Sequence, residues 1–424
     1  MPRTSSLAAV ALIGAAGLAA APAIAQELAI SCGAVGQELE LCRDGVAAWS
    51  EKTGIPVDVV STPNSTSERL ALYQQILASG SADIDVYQID VIWPGILGAH
   101  FVDLAPAFEG GGLDAHFEAI VENNTVDGEL KAMPWFTDAG VLYYRRDLLA
   151  EHGVEPPATW SDMAAIAGEI QAAERAAGNE RMVGYVFQGQ AYEGLTCNAL
   201  EWIHSRDGGR IVNDAGEVTI DNPAAVAALE EAASWVGAIT PAGVLAYQEE
   251  EARGVFQAGH AVFMRNWPYA WALANAEDSA IRGKVGVTAL PKGSPDGRST
   301  GTLGGWNLAV SRYSDMPEAA IDLVAHLVSF EEQKRRAIEG AYNPTIRAVY
   351  EDEEVLAANP FFGELFDTFV NAVARPSDVT GARYNQVSTE FWNAVHDTLN
   401  GSVSAERALA RLDRKLERLA RSWR

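Results

Sequence analysis

Gly128-Glu129-Leu130-Lys131-Ala132-Met133-Pro134-Trp135-Phe136-Thr137-Asp138-Ala139-Gly140-Val141-Leu142-Tyr143-Tyr144-Arg145-Arg146-Asp147-Leu148-Leu149 decides the reading of the fold. A polar turn leads into an apolar run, one carboxylate interrupts that run, and strand-like residues continue until helix signals begin. Asp138 is therefore expected where strands cross from one lobe to another, poised to meet a ligand. An acidic side chain in such a run is costly unless something pairs with it or binds it. The competing explanation is a structural partnership with an Arg at the crossing.

Upstream of this stretch, strand and helix signals alternate. Leu28 to Ser31 reads as a strand, Glu38 to Lys52 as a helix, Pro56 to Val60 as a strand, Ser67 to Ala78 as a helix and Ile84 to Ile89 as a strand. Such alternation implies βαβ units and a parallel sheet, with ligands bound beyond the carboxyl ends of the strands. Glu38 and Asp90 fall at those ends. From Thr159 the chain becomes helix-rich: Trp160 to Glu174 follows a Thr-Trp-Ser start, and Asn222-Pro223 opens a helix through Trp235. Phe256 to Met264 reads as a helix end, a Gly turn and a buried strand. A second crossing is expected near Lys284 to Pro291, and Ser404 is an N-cap candidate for an amphipathic tail helix with a solvated basic face. Two crossings make neither lobe continuous: residues 26–137 with 288–335 form one, and 138–287 with 336–424 the other. Lobes joined in this way close on a ligand by rotating a few residues at element ends.

Arg3, the apolar run from Leu7 to Leu18 and the small residues Ala23-Ile24-Ala25 form a signal-peptide pattern, with cleavage expected after Ala25. The alternative, a membrane anchor, needs roughly 20 apolar residues. No Cys follows the cleavage site to take a lipid, so an exported soluble chain in the periplasm is expected. A formal charge of −26 argues against nucleic acid or an anionic membrane as partner. Of the three cysteines, Cys32 and Cys42 flank one short segment. In an oxidising compartment they are expected to pair, leaving Cys197 buried and inert; two unpaired core thiols are the alternative.

Three carboxylates stand out. Glu38 follows Gly33 and Gly36, although an acid in a helix's first turn also serves the helix dipole. Asp90 lies between a buried strand and an apolar segment, where a helix N-cap would explain it equally. Asp138, inside its apolar run, is the third. Arg265-Asn266-Trp267-Pro268-Tyr269 is stiff and ill suited to a helix or central strand, which favours a presented aromatic surface. In Leu303-Gly304-Gly305-Trp306, Gly305 leaves room beside the indole. About half of the chain's 11 Trp are expected to be plain core. The seven His lie far apart with no HExxH spacing, no phosphate loop of the G-x-x-x-x-G-K-[ST] type occurs, and no G-x-S-x-G elbow is present. Neither an enzyme, nor a metal site, nor a cofactor is expected.

The decisive stretch, with Pro156-Pro157-Ala158-Thr159-Trp160 after it, resembles the crossing of periplasmic sugar-binding proteins that feed ABC importers. Ser31 to Glu38, Gln88 to Trp93, Arg265 to Tyr269 and Leu303 to Trp306 occur in the right order for the trehalose/maltose-binding branch, and the similarity extends over nearly the whole mature chain. The resemblance implies a two-lobed α/β fold, each lobe a mostly parallel sheet flanked by helices, and capture of an α-linked disaccharide for delivery to a transmembrane permease by a monomer. It implies ligand contacts at Glu38, Asn64, Arg69, Asp90, Phe136, Asp138, Trp267, Tyr269, Gly305, Trp306 and Arg375. Such a set combines polar groups for hydroxyls with aromatic faces for pyranose C–H groups. Arg383 is a neighbouring alternative to Arg375. Phe136 stands where the branch has Tyr, which removes one hydroxyl from the expected set. A secreted glycoside hydrolase, whose carboxyls would stand about 5 to 9 Å apart, and a non-catalytic polysaccharide lectin are the rival readings.

Overall fold

Eleven strands are present among the described residues, which in this computed structural model are 27–33, 35–110 and 112–423. The expected signal peptide and its cleavage after Ala25 lie outside them. In chain order the strands are β1 Leu28–Ser31, β2 Val57–Val60, β3 Val86–Asp90, β4 Thr125–Val126, β5 Glu129–Leu130, β6 Met133–Ala139, β7 Val141–Arg145, β8 Val183–Val186, β9 Ala261–Asn266, β10 Val285–Ala289 and β11 Leu303–Val310. One sheet has the order β2-β1-β3-β11-β6, a second β10-β7-β9-β8, and β4 and β5 form a small ribbon.

Side chains alternate across a strand, and here both faces of both sheets are covered. Val86 joins a core with Leu28, Ile30, Trp49 and Leu308, whereas its neighbour Tyr87 joins another with Leu70, Tyr73 and Trp93. In the second sheet, Leu142 packs with Trp160, Trp202 and Trp235, and Tyr143 packs on the opposite face with Phe256 and Phe361. Burial on two faces explains why these strands read as apolar runs rather than as alternating ones.

The chain leaves the first sheet along β6, passes Gly140 and enters the second as β7; it returns from β10 through residues 290–302 into β11. The outgoing and returning strands lie side by side, so β6 pairs antiparallel with β11, and β7 with β10. This corrects the expectation of mostly parallel sheets. Parallel pairing holds for β1 with β2 and β3 and for β8 with β9, but β11 is antiparallel to β3 and β7 to β9. Extending the early βαβ rhythm fails because a chain that crosses and comes back must run in opposite senses at the crossing. Gly140 is required there: a Cβ would stand 2.0 Å from Glu201 Oε1 and 2.5 Å from an Arg265 amino nitrogen.

Helix starts follow their caps. The Thr159 hydroxyl accepts from the Asp162 amide and the Asp162 carboxylate accepts in return from the Thr159 amide, closing a capping box on Trp160–Ala176; Asn222 caps Pro223–Trp235 by accepting from the Ala225 amide. Ser404 precedes the tail helix Ala405–Leu419, but its hydroxyl makes no capping bond. Cys32 and Cys42 are joined, with Cα atoms 6.5 Å apart, and Cys197 is free and buried.

Candidate functional site

A cavity opens where the carboxyl end of β3, the crossing strands and the turn after β9 converge. Nine residues expected at a ligand site line it: Asn64, Asp90, Phe136, Asp138, Trp267, Tyr269, Gly305, Trp306 and Arg375. Glu38 and Arg69 stand behind its wall. Arg383 is exposed, within 3.4 Å of Gln386, so Arg375 is the arginine at this cavity.

Asp138 is 7% exposed, and no hydrogen bond to its carboxyl oxygens is made among the described residues. Burial, with the neighbouring Glu38 and Asp90 charges, holds its carboxyl well above the usual range, while Arg265 and Arg336 oppose the shift. A buried acceptor bordering a cavity with its lone pairs unused is prepared for hydroxyl donors.

Two of the bordering aromatics are backed by arginines. The Arg69 guanidinium lies 4.3 Å from the centroid of Trp306, and that of Arg265 lies 3.8 Å from Trp267. Arg69 also donates from Nε and an amino nitrogen to the Pro63 carbonyl at 3.3 Å. Arg265 forms a fully buried bidentate pair with Glu201 and donates to Gln188 Oε1 at 3.1 Å. Trp93 meets the Trp306 ring edge to face at 5.5 Å. Gly305 has φ +119°, and a Cβ there would stand 2.5 Å from the Phe136 carbonyl oxygen, so only glycine lets β11 approach β6 closely enough to hold Trp306 in this place.

Arg375 ties the two sides of the cavity together. It donates to Asp90 Oδ1 at 2.8 Å and to Glu193 Oε1 at 3.0 Å. Glu193 opens the helix Glu193–Ser205 and also accepts from Tyr384 and Ser388. Burial raises the Glu193 carboxyl, against which Arg375 acts. Asp90 further accepts from the Ile92 amide at 3.2 Å, a turn bond; the helix Pro94–Leu97 that follows has Trp93 at its N-cap, so Asp90 is not the helix cap that its position allowed. Glu38 is bonded to Gln88 and to the Val35 amide, and Gln88 accepts from Gly33. The first loop is thereby held in place.

Tyr269 is buried rather than presented, donating to Glu250 at 2.7 Å and stacking near Tyr342. Phe136 packs against Tyr342 at 4.9 Å. Behind them Arg336 has no hydrogen-bond partner for its three guanidinium nitrogens among the described residues; it lies 3.8 Å from the Trp135 ring centroid, and burial pushes it down to about 10.

Sequence reasoning missed Glu193, Glu249 and Tyr342 at this wall. Glu193 and Glu249 each open a helix, as Glu38 does, so an acid at a helix start after an extended residue was the available signal. It was hidden by the many other acids. Cys197, expected to be inert core, borders the cavity, and burial pushes its thiol up to about 12. No group of three or more His, Cys, Asp or Glu suited to a metal occurs among the described residues.

Two sheets joined by paired crossings, with a cavity where they meet, define a two-lobed periplasmic binding protein. The bacterial extracellular solute-binding protein model matches residues 40–334. The chain belongs to this family, whose members are non-catalytic solute-binding proteins of ABC transporters. A probable ABC transporter-binding protein of Deinococcus radiodurans is 53% identical over 407 residues, covering 96% of each chain. Maltose-bound MalE3 of T. maritima superposes with a TM-score of 0.88 at 40% identity, over 93% of this chain and 99% of that one. The GacH receptor of Streptomyces glaucescens, at 22% identity and a TM-score of 0.81 over 94% and 99% of the two chains, shares the fold.

Proposed function

We propose that this protein captures an α-linked disaccharide of the trehalose, maltose or sucrose kind in the periplasm and, as a monomer, presents it to the permease subunits of an ABC importer. The observation that carries this reading is Asp138: a buried carboxylate without a hydrogen-bonded partner among the described residues, bordering a cavity that Trp267 and Trp306 also border. Hydroxyls satisfy the carboxylate while pyranose C–H faces cover the indoles, a combination no purely apolar or purely charged solute matches. The 40% identity to a maltose-bound protein supports the same solute class.

Residues 26–137 with 288–335 act as one lobe and 138–287 with 336–424 as the other, moving about the crossings. Solute contacts from both lobes favour the closed form, which the permease recognises. Calorimetry with trehalose, maltose, sucrose, glucose and a soluble α-glucan tests the reading. One disaccharide is expected to bind far more tightly than glucose or polymer; equal or tighter binding of glucose or polymer overturns it. Release of glucose from any disaccharide would revive the hydrolase reading.

A further inference from the structure

A second cavity, of about 590 Å³, lies on the other side of the wall that carries Arg375. Phe117, Ile120, Leu303 and Phe369 make it apolar, and at its edge Val370 is 42% exposed, the large apolar side chain most open to solvent among the described residues. Glu118, Glu122 and Asp378 also line it and are exposed. None of these three carboxylates forms an ion pair or a side-chain hydrogen bond among the described residues. Arg375 also lines the cavity, paired with Asp90 and Glu193, and Arg347, exposed and without an ion pair among the described residues, lies 5.3 Å from both the Phe117 and the Phe366 rings. An apolar floor under a rim whose three unpaired carboxylates outnumber its one unpaired Arg complements a cation with an apolar body.

The partition between the two cavities is short. Val373 donates to the Gly301 carbonyl at 2.8 Å and accepts from the Leu303 amide at 2.9 Å, which clips this segment to the start of β11. Arg375, two residues on, borders both cavities and spans Asp90 and Glu193. A ligand that fits the second cavity in this arrangement favours the arrangement itself.

We propose that the second cavity is an effector site for a small organic cation with an aromatic or branched apolar body, and that its occupation raises the affinity of the cleft for its solute. Occupation of the site stands apart from disaccharide capture; its coupling to the cleft rests on that reading. Coupling between binding sites is reciprocal, so the solute raises the affinity for the cation by the same factor.

The test is calorimetry on the full mature chain with phenethylammonium, 2-phenylethanol and phenylacetate as probes, first without sugar. Phenethylammonium is expected to bind about tenfold tighter than phenylacetate, the scale of a few exposed ion pairs, with the preference shrinking at high salt. The triple variant E118Q, E122Q, D378N should lose that preference, and Ile120→Trp, which fills the floor, should abolish cation binding. Saturating phenethylammonium should then lower the Kd of the disaccharide identified above by about fivefold or more. Equal binding of phenylacetate, a preserved preference in the triple variant, or an unchanged disaccharide Kd overturns the proposal. Absence of any sugar binding in the cation-free titration refutes the disaccharide reading by itself, and the coupling with it, whereas the probe series still decides whether the cation site exists.

Discussion

Arg265 holds its guanidinium 3.8 Å from the centroid of the Trp267 ring. Trp267 borders the cavity and Arg265 does not, so the indole stands between a buried cation and the cavity. The cation is itself fixed by Glu201, and the ring therefore has little freedom to turn. Arg69 and Trp306 repeat the relationship at 4.3 Å. An aromatic surface held from behind loses less conformational freedom when a solute lies on it.

Replacing Trp306 with Ala is expected to weaken disaccharide binding by about 2 to 4 kcal/mol, the scale of a central aromatic anchor. The edge contact with Trp93 adds a stability loss of about 1 kcal/mol. Calorimetry and urea unfolding on the same variant separate the two; normal affinity with a large stability loss would assign Trp306 to the core alone.

Arg69→Met removes the cation from behind Trp306 and leaves the cavity residues in place. Its cation–π contribution is about 0.5 to 2 kcal/mol, so disaccharide affinity should fall by that amount or less, well short of the Trp306→Ala effect. A loss as large as that of Trp306→Ala would mean that Arg69 reaches the solute.

Arg375→Ala leaves Asp90 and Glu193 buried without their shared cation. Removing one member of a buried charge network costs about 3 to 5 kcal/mol. Urea unfolding at neutral pH should register a loss on that scale, and Glu193→Gln should recover part of it by removing one stranded charge.

Asp138 has a pH signature with a definite sign. Its folded carboxyl titrates well above the ordinary value of 3.8, chiefly through burial. The contribution to stability is therefore complete below the ordinary carboxylate range and is lost as pH rises through the raised folded value. Asp138→Asn should be more stable than the parent near neutral pH and equal to it in acid, while binding disaccharide less tightly by about 1.5 to 3 kcal/mol. A stability difference between the two proteins that does not shrink as pH falls into the acid range would contradict the assignment.

Reduction of the Cys32–Cys42 bridge should lower stability by about 2 to 3 kcal/mol, the loop-closure scale for a separation of 10 residues. Peptide mapping of the oxidised protein should show that bridge with Cys197 unmodified; a bridge involving Cys197 would refute the pairing.

Much of this protein was determined by its sequence alone, because the relevant physics is local. Leu28–Ser31, Pro223–Trp235 and the turn and strand read over Phe256 to Met264, which the fold extends to Asn266, follow from side-chain periodicity, caps and glycine. Asp138 marked the crossing because a carboxylate inside an apolar run has few places to go. Only the tertiary structure decided which distant groups meet. Asp90 finds Arg375 across 285 residues and Arg375 finds Glu193 across 182, and no local spacing distinguishes Arg375 from Arg383. Glu38 and Arg69, expected to touch a ligand, do not line the cavity but stand behind its wall, because helix packing sets their depth. The antiparallel pairing at the crossing, the acids Glu193 and Glu249 at the cavity and the second cavity behind Arg375 arise the same way: strand direction and side-chain convergence depend on where the chain returns, which only the folded core fixes.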